Sequence, residues 1–353
     1  MLNFIITILI LFVMLGLIIS IHEFGHFIAA KKSGVYVDEF SLGMGPLVFK
    51  HKPKNSETTY SLRLLPIGGY VSMAEKEDKK SKIKKERVLE NKSFLRVLWV
   101  LINGIVFNFI LAICLFFISG LIYGKPIEEA TINSVVDGSA AYKAGLKAGD
   151  KIIKVNGKDI KTFDDFVLEA SAKKSKSNIY KITVVTSSGE TKTYEVTPSI
   201  EKRNNEEVKV YGIVFNGTTY KKGFKYAVSY AFTGTIENSK TIFKILGSLF
   251  TGSVSVKNLS GPVGIYSLVD RVKVQGLEMI LYLTAYLSIN VGIVNLFPIP
   301  VFDGGRIFIL IIEKIIGHKT DEKLEMALNY IGFALMILLM IYVTFNDVLR
   351  LVG

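Results

Sequence analysis

His22 and His26 stand four residues apart, with Glu23 beside the first, in the run Ser20-Ile-His-Glu-Phe-Gly-His-Phe-Ile-Ala-Ala-Lys31. On a helix, two residues at this spacing lie about 40° apart around the axis, one turn above the other. Two imidazoles so placed can bind one zinc ion, and a glutamate next to the first can act as general base on a water held at that ion. The chemistry on offer is metal-assisted hydrolysis of a peptide bond. Chance also produces this pattern, as two histidines on a polar helix face. Here the helix is apolar: residues 2–21 carry no charged side chain, and the motif continues the same run. Histidines and a glutamate inside an apolar helix of hydrocarbon length are costly without a partner, which favours the metal reading.

A catalytic zinc commonly takes three protein ligands and leaves one position open. The remaining histidines, His51 and His318, fall in polar loops, so a carboxylate is the better third ligand. Asp303 fits. It lies in Asn295-Leu-Phe-Pro-Ile-Pro-Val-Phe-Asp-Gly-Gly-Arg306, where Pro298 and Pro300 break an apolar helix and Gly304-Gly305 loosen the backbone. Irregular backbone at membrane depth is tolerated where it is buried in protein or lines a wet cavity, and an acidic residue there is a ligand candidate. The competing reading is that Asp303 caps the helix that follows. Glu313 and Glu278 stand at helix ends beside water and are weaker candidates. Asn103 and Asn108, in a second apolar run, either bond helix to helix or aim a polar group at a site. With a metal in place, Glu23 takes a proton from water and returns it to the leaving amine. A substrate helix must unwind first, because its carbonyls are already hydrogen-bonded.

The elements that must position these residues read as membrane spans alternating with solvated segments. Of the 353 residues, half are hydrophobic, yet 21% are charged. Apolar runs at 2–30, 97–123, 277–297 and 328–345 give four spans. The first would be about 43 Å long as a helix against a ~30 Å hydrocarbon core, so the motif sits in its second half. It lacks a basic leader and a small-residue cleavage site, and is read as a retained helix rather than a signal peptide. The formal charge of +12 comes from lysines spread through loops beside apolar runs. No nucleic-acid motif accompanies them, so the lipid bilayer is the expected partner and nucleic acid is not. The single cysteine, Cys114, excludes an internal disulfide. Lys31, Lys32, Lys92 and Arg96 flank the first two spans, and Lys314, Lys319 and Lys323 lie between the last two. The positive-inside rule puts both loops in the cytoplasm, and with them the motif's end of span one.

Between the spans, residues 35–49 and 58–71 are β-branched and aromatic, broken by glycine and proline, and predict a membrane-associated β region over 35–73. Residues 74–92 read as a solvated, mobile segment. Residues 125–200 predict a small α+β module, with a hairpin at Asn156-Gly157, a helix over 163–172 capped by Thr162 or Asp164, and strands at 180–186 and 191–196. Residues 201–258 read as a linker and an amphipathic helix (224–250) at the membrane interface. Gly261-Pro-Val-Gly-Ile265 reads as a break. Residues 1–123 and 259–353 then form the two halves of one membrane core.

Taken together, these motifs resemble the site-2 protease family of intramembrane zinc metalloproteases, in the bacterial RseP/RasP-like branch with one PDZ domain. The resemblance covers nearly the whole chain. It rests on His22–His26, Gly43-Met-Gly-Pro46, Leu65-Pro-Ile-Gly-Gly-Tyr-Val71, Gly104 to Asn108, Leu259-Ser-Gly-Pro-Val-Gly-Ile265 and Asn295 to Gly305. In the module, Ala144-Gly-Leu-Lys-Ala-Gly-Asp-Lys-Ile-Ile-Lys-Val-Asn-Gly157 is similar to a PDZ domain. The resemblance implies a multi-span α-helical membrane protein with one inserted extracytoplasmic PDZ domain in a bacterial cell membrane. It implies Zn2+ on His22, His26 and Asp303, Glu23 as the catalytic residue, and Asn108 and Asn295 on the substrate backbone. It also implies single-pass membrane substrates of the anti-sigma factor or remnant signal peptide type, trimmed beforehand by another protease, with the PDZ domain as a size filter. The alternative is a non-catalytic, membrane-anchored PDZ scaffold, which would have no need of Glu23 and Asp303 inside spans.

Overall fold

The computed structural model describes residues 2–77, 83–127, 129–171, 178–203, 206–215, 219–252 and 259–352. The chain divides into two compact units: Met1–Ile122 with Ala227–Gly353, and Tyr123–Tyr226.

The first unit begins with α1 (Leu2–Lys32), a single helix through the motif. It stops where Gly34 takes a left-handed φ of +69° and Val35 N–H bonds back to Ala30 O, a turn that glycine makes without strain. Next come β1 (Val37–His51) and β2 (Thr59–Met73), paired to each other. Each turns back on itself, so that Phe40 faces Val71 on one side and Tyr60 on the other. The turned-back portions expose Leu47, Val48, Phe49 and Leu64, an apolar surface suited to lipid. The charged segment after β2 departs from expectation. Residues 78–82 lie outside the described residues, but 85–91 form two short 3-10 turns with Val88 and Leu89 buried. Leu89 N–H bonds to Ala74 O, and Tyr36 N–H to Arg87 O, so this stretch is fastened to the sheet rather than solvated and mobile. Two apolar residues among many lysines are enough to anchor it.

Helix α2 (Phe94–Ile122) then packs on α1. The two approach backbone to backbone: a Cβ on Gly25 would stand 2.3 Å from Asn103 O.

The second unit holds β3 (Lys125–Ile127), β4 (Ile132–Val135), α3 (Ala140–Ala144), β5 (Lys151–Val155) and β6 (Lys158–Asp159). These are followed by α4 (Phe163–Ser171), β7 (Tyr180–Val185), β8 (Thr191–Val196), β9 (Ser199–Arg203), β10 (Glu206–Val210), β11 (Ile213–Phe215) and β12 (Thr219–Lys221). A four-stranded antiparallel sheet runs β6-β5-β7-β8. Asn156 and Gly157, both at positive φ, make the predicted β5–β6 hairpin. Thr162 caps α4: Asp165 N–H donates to Thr162 Oγ1, and Thr162 N–H donates back to Asp165 Oδ2. The boundary at 200 is corrected. Strand β11 pairs with β4 and β12 with β3, and Tyr211, Ile213 and Phe215 join the unit's apolar core. Residues 201–221 therefore close the module instead of linking it onward. Pairing across so many residues leaves no local pattern to read.

The first unit resumes in α5 (Phe224–Phe250), followed by α6 (Pro262–Lys273), α7 (Leu277–Asn295), α8 (Asp303–Ile316) and α9 (Glu322–Val352). Gly261-Pro-Val-Gly-Ile265 is the start of α6 and not merely a break: Pro262 occupies the first turn, and Asp347 of α9 accepts from Gly261 and Gly264 N–H at 2.8 and 2.7 Å. Among the described residues, four helices are long and apolar enough to cross a membrane, at Leu2–Lys32, Phe94–Ile122, Leu277–Asn295 and Lys323–Arg350. Ile18 of α1, Phe116 of α2 and Ile289 and Ile293 of α7 are buried in one apolar core that these three helices share.

Candidate metal centre

Helix α1 presents His22 and His26 on one face, toward α2 and the start of α8. His22 Nε2 lies 3.1 Å and His26 Nε2 3.2 Å from the same oxygen, Asp303 Oδ2. The two Nε2 atoms are 3.2 Å from each other. Four-coordinate zinc with ligands at 2.0–2.1 Å sets neighbouring ligand atoms about 3.3 Å apart, so this triangle has the size of one face of that tetrahedron. The donor chemistry agrees. His26 Nδ1–H donates to Val100 O at 2.8 Å, which leaves its Nε2 with a bare lone pair. Asp303 Oδ2 is buried and has no hydrogen-bond partner among the described residues. Lone pairs gathered this closely repel unless a cation stands among them. The residues fit zinc.

Asp303 is the first residue of α8, and the cap position is Phe302. The break before it is tight. Ideal Cβ atoms on Gly304 and Gly305 would fall 2.4 Å from the Leu296 and Ile299 carbonyls, so the loop folds directly onto the helix start. Val301 in that loop has φ +91°, a sparsely populated region for a β-branched residue that needs its surroundings to hold it.

Glu23 is not a member of the histidine–aspartate triangle but lines two cavities together with its residues. One, of about 280 Å3, is also lined by Ile19, Val291, Asn295 and Val301. The other, of about 170 Å3, reaches Val71 and Met73 of β2 and a paired Glu75 and Arg306, whose guanidinium donates to both carboxylate oxygens at 2.9 and 3.2 Å.

His22, Glu23, His26, Asn295 and Asp303 thus come together. Asn108 lies behind His22, fully buried, with its amide nitrogen 3.2 Å from His22 Nδ1. Asn103 instead donates to Trp99 O within its own helix. His51, Glu278, Glu313 and His318 take no part: among the described residues, His22, His26 and Asp303 form the one grouping able to hold a metal. Gly104 was not read from spacing as a site residue. A Cβ on it would stand 2.3 Å from His26 Nε2 and 2.8 Å from His22 Cε1, so both rings lie on bare α2 backbone.

The family model described as Peptidase family M50 matches residues 10–339. The Regulator of sigma-W protease RasP of Bacillus subtilis is 31% identical, with 99% of each chain covered. The Zinc metalloprotease RasP of Bacillus licheniformis is 32% identical over 98% of this chain and 99% of its own. A relative from Clostridium acetobutylicum is 37% identical over 94% of each. With nearly the whole length matched, and with four apolar helices and a His-His-Asp cluster among the described residues, this multi-span helical membrane protein belongs to peptidase family M50, the site-2 proteases.

Proposed function

We propose that His22, His26 and Asp303 hold the zinc ion of this intramembrane metalloendopeptidase and that Glu23 is its general base and acid. The observation that carries the assignment is the convergence of three ligand atoms, two on α1 and one at the head of α8, on one point. When bound, zinc supplies Lewis-acid polarisation of the scissile carbonyl and acidifies the attacking water. Glu23, beside that point, takes the proton of the water and hands it to the leaving amine nitrogen. Asn295, on the cavity wall, is suited to donate to a substrate carbonyl. The 69–73 portion of β2 borders Glu23 through Val71, and an extended substrate segment pairing there would meet the base as a strand rather than a helix.

The Tyr123–Tyr226 unit is read as a single PDZ domain. The lysines beside α1, α2 and α8 favour the metal centre on the cytoplasmic side of a bacterial membrane and the PDZ unit outside. On that arrangement, the substrates are single-pass membrane proteins whose outer part has been trimmed by another protease. The relative named as a regulator of sigma-W protease makes anti-sigma factors the first class to try. A non-catalytic scaffold is not favoured, because it leaves the buried histidine–aspartate cluster without a use.

The test is cleavage of a tagged single-pass protein, truncated on its outer side, by wild type and Glu23→Gln with zinc measured in both. Cleavage by wild type alone, with zinc in both, is expected. A folded protein that binds no zinc overturns the assignment.

A further inference from the structure

We propose that Asn108 is a positioning residue for the metal centre. Its amide oxygen accepts the Nδ1 proton of His22 and so keeps His22 Nε2 bare and aimed at the metal point. The inference rests on the reading of His22 as a zinc ligand.

Helix α2 runs behind both histidines and meets them with residues four apart. Val100 faces His26, Gly104 lies beneath both rings, and Asn108 faces His22. At the Val100 end the chemistry is unambiguous: a carbonyl only accepts, so His26 carries its proton on Nδ1. A ring nitrogen that binds a metal carries no proton, so His22 must also hold its proton on Nδ1. The group facing that nitrogen is the Asn108 amide, at 3.2 Å. With NH2 toward the ring, donor would meet donor. A half-turn of the amide exchanges its two ends with almost no change of shape. Asn108 Oδ1, buried and otherwise without a partner, then takes the His22 proton.

The surroundings hold Asn108 to this task. Ser288 Oγ–H of α7 donates to the main-chain carbonyl of Asn108 at 2.8 Å, which fixes the backbone from which the amide projects, and both residues are fully buried. Asn108 is absent from the cavity wall that Asn295 lines, so it acts through His22 and does not touch substrate. The two histidines are therefore oriented by different devices, one by a main-chain carbonyl that mutation cannot remove and one by a side chain that it can.

The experiment measures zinc affinity by chelator competition on the purified full chain in detergent, with the visible spectrum of the cobalt-substituted protein as a second readout. Asn108→Ala and Asn108→Leu should weaken zinc binding by roughly 10- to 100-fold, the usual cost of removing a group that orients a metal-bound histidine. Asn108→Asp, which keeps an acceptor, should restore the affinity and the cobalt spectrum. At saturating zinc, the Ala variant should lose kcat with KM unchanged. Wild-type zinc affinity in Asn108→Ala with a raised KM would overturn the inference and make Asn108 a substrate contact. Loss of zinc from a folded Asn108→Asp would overturn it as well. Absence of zinc from the wild-type protein would instead sink the metal-site assignment on which it stands.

Discussion

Gly104→Ala is the sharpest single perturbation of this centre, because it adds one methyl group and removes nothing. The new Cβ would lie 2.3 Å from His26 Nε2, 2.7 Å from His26 Cε1 and 2.8 Å from His22 Cε1, more than 1 Å inside the ordinary contact distance of 3.4 Å at its closest. The methyl sits on helix backbone and cannot retreat. Either both rings swing away or α1 and α2 part by about the same amount, and overpacking of this kind costs about 1–3 kcal/mol. The centre suffers more than the fold, since ligand distances must hold to about 0.2 Å and a shift of about 1 Å misplaces reacting groups by about 100-fold in rate. The assay is zinc retained against a graded chelator, followed by cleavage of a single-pass substrate. Gly247→Ala serves as the control: it lies within α5, where the added Cβ meets nothing within 4 Å. It should leave zinc unchanged and stabilise the helix by roughly 0.5–1 kcal/mol. Wild-type zinc affinity in Gly104→Ala would refute the reasoning, because the rings could then not rest where the geometry has them.

Glu57 accepts from Lys31 at 2.9 Å and from Arg87 at 2.7 Å, tying the end of α1 to the 3-10 turns. Partial burial pushes its carboxyl up, but the Arg87 and Lys31 bonds outweigh that and hold it below the usual range. A depressed carboxyl contributes stability above the unfolded value of about 4.3 and loses it as pH falls through the lower folded value. Melting temperatures should therefore fall below about pH 4.3 in wild type, and less steeply in Glu57→Gln. Asp347→Ala leaves two N–H groups at the head of α6 without their acceptor, at a cost of about 1–3 kcal/mol. A lower melting temperature and weaker cysteine crosslinking between α6 and α9 would report it, with zinc content unchanged. Chelation should abolish cleavage reversibly. It should also lower stability by about 2.7 kcal/mol relative to protein held at a hundredfold excess of zinc over Kd, read as a thermal shift that added zinc restores.

The candidate metal centre was legible as a grouping because its parts violate their surroundings. A histidine pair and a glutamate in an apolar helix, and an aspartate between prolines and glycines after another, are each costly unless they meet. Spacing could propose Asp303 over Glu313 and Glu278 because only Asp303 sits in a helix break. The role of Gly104 was hidden for the opposite reason: a glycine in a helix looks the same whether it faces lipid or an imidazole. Asp347 was equally silent, since an acid near the end of α9 reads as a solvated terminus until the amides of α6 arrive beside it. The second unit was half legible. Its hairpin and helix cap are local and were read correctly, whereas β11 and β12 depend on partners about 80 or more residues earlier in the chain.

Strands β3 and β12, the first and last of the inserted unit, are paired to each other, which brings its entry and exit within one strand spacing of about 4.8 Å. In the membrane unit the corresponding ends are also neighbours, because a Cβ on Gly120 of α2 would lie 2.8 Å from the Ala227 backbone of α5. A segment whose two ends leave and return at adjacent points asks nothing of its host except a doorway. The host can therefore accept a longer, shorter or duplicated insert, or a plain turn of a few residues, without rearranging a single helix around the histidines. The inserted unit and its host are thus modular in the literal sense, and a lineage could replace the first by recombination at residues 123 and 226 while inheriting the second intact.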